Sequence, residues 1–211
     1  MIFEQGQRIV FIGDSITDCG RRDAFAPYGN GYVSLVRAFV TARYPELGLA
    51  WENRGIGGDT TRHLKARWEE DVVALKPEWL SVKIGINDVW RKYGAKPHEA
   101  VPIDEYETNL RQLLTRAVDA TGCRLIIAEP YVIEKDQDDP QLRDTTAFGM
   151  VARKLADEFG AVNVRTQEAF DAALASTESC DWADDRIHPN LAGHAVIAQA
   201  FLRAIGFSLN G

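Results

Sequence analysis

Ile9-Val10-Phe11-Ile12 is the first of five short apolar runs that recur along the chain between stretches of helical periodicity. Leu49-Ala50-Trp51 leads a second, Trp79 through Ile84 forms a third, Leu125 through Ala128 a fourth, and Ala161 through Val164 a fifth. Continuous apolar runs of this length suit strands of a parallel sheet covered on both faces. The gaps read as helices. Val33, Val36, Phe39 and Val40 make one stripe, ending near Tyr44-Pro45, and Leu64, Trp68, Val72 and Leu75 make another, stopped by Pro77. Tyr106, Leu110, Leu113, Leu114 and Ala117 form a third, and Val151, Leu155 and Phe159 a fourth that closes on Gly160. Ala192, Val196, Ala200 and Leu202 predict a last helix after Pro189-Asn190. Strand–helix alternation implies right-handed crossovers and a three-layer α/β/α sandwich. Arg21 to Gly31 and Glu134 to Pro140 escape the pattern, the first as a Pro- and Gly-containing loop and the second as a solvated charged turn. No linker or repeat interrupts the chain, which reads as one domain over residues 1–211.

Composition narrows the partners. A formal charge of −7 without a basic stripe argues against nucleic acid and an anionic membrane surface. The segment Met1 to Gln7 lacks a basic stretch and a long apolar run, so no signal peptide is expected, and the cytoplasm is the expected location. Cys19, Cys123 and Cys180 are too widely spaced for a zinc site or a disulfide framework. Cys19 follows Ser15 by four residues but has no His or Lys beside it in sequence, so it reads as a packed thiol. Neither a metal nor another cofactor is expected.

Three short segments end where an open α/β sheet places its ligands, beyond the carboxyl ends of strands: Gly13-Asp14-Ser15, Gly85-Ile86-Asn87-Asp88 and Asp185-Arg186-Ile187-His188-Pro189. Ser15 can attack a carbonyl, His188 can take its proton, Asp185 can orient the imidazole, and Asn87 can donate to an oxyanion. Taken singly, the Ser15 and Asn87 segments read first as turns in which Asp, Asn or Ser satisfies backbone donors, and Gly57-Gly58 as a tight turn. His188 stands apart from His63, His98 and His194, which read as structural or exposed, because Pro189 disfavours helix there and Asp185 lies three residues back. Asp181 and Asp184 are rivals without that spacing. Asn53 through Thr60, with Gly57 and Gly58, is a glycine-opened loop whose N–H groups face the same rim. Ser15 does not sit in a Gly-x-Ser-x-Gly elbow, because Thr17 occupies the place of the second glycine.

Together these blocks resemble the SGNH (GDSL) hydrolase superfamily, over essentially the whole chain. The resemblance implies a flavodoxin-like fold, a parallel five-stranded sheet of order 2-1-3-4-5. It also implies a Ser15–His188–Asp185 triad, and an oxyanion hole made by the N–H groups of Ser15 and Gly58 and the amide of Asn87. Phe11 through Arg21, Tyr44 through Gly48, Leu64 through Val72 and Ile84 through Arg91 are similar to the intracellular acetylxylan esterases of that superfamily. The sequence departs from them at Gly57, where serine is commoner, and at Asp184, where a bulky residue is usual. The implied activity is removal of acetyl groups from xylo-oligosaccharides or related sugars by a homo-oligomer, with octamers known among relatives. Asp14, Arg54 and Trp90 flank the rim as candidate substrate contacts; capping for Asp14, a surface salt bridge for Arg54 and packing for Trp90 are the alternatives. A lysophospholipase or thioesterase on the same scaffold needs a long apolar acyl groove, and a catalytically silent carbohydrate-binding domain needs no intact triad.

Overall fold

The computed structural model describes residues 1–209. Its sheet is built from β1 (Arg8–Gly13), β2 (Ala50–Gly55), β3 (Trp79–Lys83), β4 (Arg124–Ala128) and β5 (Val162–Val164). All neighbours pair parallel, in the order β2-β1-β3-β4-β5. Alternate residues of each strand enter two separate cores. Ile9 and Phe11 of β1 and Ile126 and Ala128 of β4 face one layer, while Val10, Ile12, Leu125 and Ile127 face the other. The first layer holds α2 (Tyr32–Arg43), α7 (Thr166–Leu174) and α8 (Leu191–Ala204); the second holds α3 (Thr61–Asp71), α5 (Ile103–Thr121) and α6 (Pro140–Glu158). Two short helices, α1 (Ser15–Asp18) and α4 (Ile86–Trp90), begin just past the ends of β1 and β3.

The chain moves from β1 outward to β2 and then back across β1 to β3, so the strand order reverses between β1 and β3. Crossovers leave the sheet on opposite sides there and open a crevice at the strand ends. Gly55 at the end of β2 lets the α1 turn approach closely, since a Cβ there would stand 2.3 Å from the Asp18 nitrogen. The loops after β1, β2 and β3 therefore converge.

The structure adds to the sequence reading at three places. The last helix forms as expected, but of Ala192, Val196, Ala200 and Leu202 only Leu202 is fully buried: α8 buries Gly193, His194, Ile197, Ala198, Phe201 and Leu202. The polar His194 and side-chain-less Gly193 occupy the inward face, and they hid its apolar periodicity. Thr166–Leu174 forms α7, which no apolar stripe predicted. The Glu134–Pro140 segment is not wholly a solvated turn. Its middle is exposed, but Glu134 and Asp139 both pair with Arg186, the latter at 3.0 Å, and Asp139 caps α6 through Leu142 N–H at 2.9 Å.

Candidate active site

Asp14 adopts extended backbone and caps α1, its Oδ1 accepting from Ile16 N–H at 3.0 Å. This turn presents the next side chain, Ser15, at the crevice. Ser15 Oγ lies 2.9 Å from His188 Nε2, and His188 Nδ1 lies 2.6 Å from Asp185 Oδ2. The other Asp185 oxygen accepts from the backbone N–H groups of His188 at 2.7 Å and Ile187 at 2.9 Å. Burial pushes the Asp185 carboxyl up, yet the hydrogen bonds from His188 and Ile187 outweigh it and hold the group below the usual carboxylate range. An ionised Asp185 keeps the imidazole proton on Nδ1 and leaves Nε2 to accept from Ser15. The side chains of His188 and Asp185 are 43% and 44% exposed, so this relay depends on bond geometry more than on exclusion of water.

The loop that carries the pair is fixed from several directions. Arg186, at φ +67°, is gripped by Glu134 and Asp139, and its carbonyl accepts from Ile133 N–H at 2.9 Å. Tyr131 donates its hydroxyl to the Ile187 carbonyl at 3.3 Å. Ala183 bridges Pro189, and Asn190 caps α8 through Gly193 N–H at 3.0 Å. Trp90, at the end of α4, sets its ring edge-on to His188, with centroids 5.7 Å apart. Arg186 and Tyr131 went unnoticed in sequence because their partners lie far away along the chain.

Ser15, Gly58 and Asn87 carry hydrogen-bond donors that lack protein acceptors. Among the described residues neither Ser15 N–H nor Gly58 N–H has a protein partner. Asn87 is buried, and its Nδ2 donates one hydrogen to the Asp59 carbonyl at 3.0 Å, which leaves the second for a ligand. Gly58 has φ +83°, a value that disfavours any other residue. At Gly57 a Cβ would meet nothing closer than Ser15 Cβ at 3.9 Å, so glycine leaves extra room beside the nucleophile position rather than relieving a clash. Asp88 takes no part in this hollow. It accepts from the N–H and hydroxyl of Thr61 and ties α4 to α3.

Asp14 and Arg54, two of the candidate substrate contacts, are engaged within the protein. Asp14 is wholly buried, so it cannot touch a substrate; it faces inward toward the equally buried Lys83, whose ammonium lies 4.5 Å from the Tyr131 ring centroid. Burial raises the Asp14 carboxyl and lowers the Lys83 ammonium, and each opposes the shift of the other through its charge. Arg54 pairs with Glu52 at 3.1 Å and Asp71 at 3.6 Å, the salt-bridge alternative.

Beside Ser15 and His188 lies a cavity of about 370 Å³, whose walls include Cys19, Asn30, Leu191 and His194. Cys19 Sγ sits 3.1 Å from His194 Nε2, and Tyr32 N–H donates to His194 Nδ1 at 3.2 Å. His194 is therefore neutral with its proton on Nε2, and burial lowers its pKa to about 4. The Cys19 thiol is pushed up to about 12 by burial and by Asp18 and Asp14, which leaves it a packed group without thiolate character. The depressed His194 makes stability pH-dependent. Between its unfolded pKa near 6.5 and its folded value near 4 the unfolded chain binds more protons, so stability falls as pH drops through that window. This single group accounts for about 2 kcal/mol of loss between pH 7 and pH 5. Urea titrations should show that share of the slope disappearing in His194→Gln; an unchanged slope would contradict it.

A serine, a histidine and an aspartate in hydrogen-bonded sequence, with unpartnered donors at the switch point of a doubly wound sheet, define a serine hydrolase of acyl groups. Residues 11–196 match the profile of the GDSL-like lipase/acylhydrolase family, and the chain belongs to that family. It is 45% identical over 209 residues to the acetylxylan esterase of Geobacillus stearothermophilus, covering 96% of this chain and 95% of that enzyme. The crystal structure of Axe2, an acetylxylan esterase from Geobacillus stearothermophilus, superposes with a TM-score of 0.95 at 44% identity, covering 99% of this chain and 98% of that one. Other structures of Axe2 are described as catalytic mutants, with alanine replacing a serine, an aspartate or a histidine. LAE5, an α/β hydrolase from the metagenome of Lake Arreo, gives a TM-score of 0.92 at 41% identity, with 98% of each chain covered. No helix among the described residues is long and apolar enough to cross a membrane, and no three His, Cys, Asp or Glu side chains among them group as a metal site.

Proposed function

We propose that this chain is a serine esterase that removes acetyl groups from xylo-oligosaccharides or related acetylated sugars. The observation that carries the chemistry is Ser15 Oγ at 2.9 Å from a His188 nitrogen whose opposite nitrogen is bound by Asp185. His188 Nε2 takes the Ser15 proton as Oγ attacks the ester carbonyl. The carbonyl oxygen, now negative, draws hydrogen bonds from Ser15 N–H, Gly58 N–H and the spare Asn87 amide hydrogen. The C–O bond to the sugar breaks, and His188 delivers its proton to the departing alkoxide oxygen. Water, deprotonated by His188, then attacks the acetyl-Ser15 ester and releases acetate, returning the proton to Ser15. The acetyl substrate rests on the 45% identity to an acetylxylan esterase. Trp90, edge-on to His188 with centroids 5.7 Å apart, is the sugar contact this reading favours.

Asn87→Ala should lower kcat about 10²–10³-fold with little change in KM, the signature of a donor used in the transition state. A loss confined to KM would reassign Asn87 to ground-state binding. Substrate choice is read by acyl length. A pocket closed beyond a methyl group rejects longer chains, whereas an open groove gains about 0.8 kcal/mol per added methylene. Acetate should be the best p-nitrophenyl ester, with kcat/KM falling steeply by butyrate, and acetylated xylo-oligosaccharides should release acetate. Rates that climb through octanoate would overturn the acetyl reading in favour of a lysophospholipase or thioesterase.

A cytoplasmic homo-oligomer is part of the same reading and rests on the family resemblance of the sequence alone. Light scattering on the eluted protein tests the assembly, and a mass near that of one 23.5 kDa chain would overturn it.

A further inference from the structure

Ile56–Gly57–Gly58–Asp59 is a β-turn closed by Asp59 N–H donating to the Ile56 carbonyl at 3.3 Å. Gly58 at its third position has φ +83°, the sign that a type II turn requires. Type I and type II turns differ by a flip of the central peptide, here the one joining Gly57 to Gly58. With glycine on both sides of that peptide, no Cβ opposes the flip. In the esterase reading Gly58 N–H is one donor of the oxyanion hole, and the flip reverses the direction of that N–H.

Neighbouring side chains hold the peptides on either side. Gly57 N–H donates to Asp18 Oδ2 at 3.1 Å, and Asn87 holds the Asp59 carbonyl at 3.0 Å. The Gly58 carbonyl accepts from Arg91 Nη2 at 2.6 Å. That carbonyl belongs to the Gly58–Asp59 peptide, which borders the central one, so this last bond fixes the Gly58 end of the turn. Arg91 is itself anchored by Glu99 at 3.0 Å, and its side chain is 18% exposed. It follows α4 by one residue. The short segment that supplies the Asn87 donor thus also latches the turn that supplies the Gly58 donor.

We infer that Arg91 is a positioning residue of the oxyanion hole, its guanidinium holding the Gly58 carbonyl, and with it the Gly58 end of the turn, so that Gly58 N–H faces the substrate oxygen. The inference rests on the serine esterase reading above. A brace that served stability alone would shift the unfolding temperature and spare the transition state. A latch on the hole acts on kcat.

The test compares Arg91→Gln and Arg91→Lys with the parent protein on p-nitrophenyl acetate, with thermal unfolding followed in parallel. Arg91→Gln should lower kcat about 10–100-fold with KM within about twofold, and Arg91→Lys should recover part of the loss. In an Asn87→Ala background the same change should cost less than in the parent, because both residues serve one hole. Full activity in Arg91→Gln, a loss confined to KM, or a full loss that adds to that of Asn87→Ala would overturn the role. If Arg91→Gln does not fold, Arg91→Lys is judged by the same kcat and KM split. Ser15→Ala assayed alongside separates the two readings. An active Ser15→Ala protein overturns the esterase reading itself, whereas an inactive one beside a fully active Arg91→Gln overturns only the role of Arg91.

Discussion

Ser15→Ala and His188→Ala each abolish all but a trace of ester hydrolysis, with losses in kcat on the order of 10⁴–10⁶-fold, and the double variant is little worse than either single one. The reason is geometric. Ser15 Oγ and His188 Nε2 share one proton across 2.9 Å, so removing either partner disables the same step. Alanine at Ser15 deletes the nucleophile, and alanine at His188 leaves a neutral hydroxyl that is a poor nucleophile at neutral pH. What survives in all three variants is the contribution of the oxyanion donors, which neither substitution touches. Steady-state kinetics on p-nitrophenyl acetate decides the matter. Additive losses would mean that the two residues act in separate steps.

Asp185→Asn should cost about 10³–10⁴-fold in kcat while leaving the fold and KM nearly unchanged. Oδ1 of the asparagine can still accept from the Ile187 and His188 backbone N–H groups, so the loop keeps its shape. The amide nitrogen, however, would face Nδ1 where a carboxylate oxygen now accepts at 2.6 Å. Two donors cannot face each other there. The imidazole would move its proton to Nε2 and meet Ser15 with a hydrogen in place of a lone pair. Asp185→Ala, which allows a water molecule to accept from Nδ1, should retain as much activity as Asp185→Asn or more. A mild effect of Asp185→Asn would show that the exposed aspartate does not set the tautomer.

The strands and the catalytic segments were legible because each is local, whereas the strand order came from the family resemblance. Ser15, Asn87 and His188 lie within a few residues of the signals that mark them, a strand end or a following proline. The apolar runs of β1, β3 and β4 announce a doubly covered sheet without ambiguity. What was illegible depends on contacts between distant positions. Arg186 reaches Glu134 and Asp139, 52 and 47 residues away, and nothing in a charged turn reveals such partners. The phase of α8 was lost because His194 sits inward, bonded to Cys19 and Tyr32, where periodicity expects an apolar residue. Asp14 read as a rim residue because its neighbour Ser15 is one. Capping turns its carboxylate inward, toward a lysine that β3 carries into the same core. Arg91 closes the stretch from Ile84, but its bond to Gly58 exists only because the fold brings the loops after β2 and β3 together.

The account stands on Ser15 as the group that becomes acylated. Its most direct test is inactivation by a serine-directed organophosphonate, followed by peptide mapping in a mass spectrometer, with acetylated xylo-oligosaccharide as a competing ligand. One adduct per chain is predicted, on the Ser15 peptide, slowed by the sugar acetate and forming in step with the loss of acetate release. An adduct on Cys19, or hydrolysis that persists when Ser15 is fully modified, would contradict it.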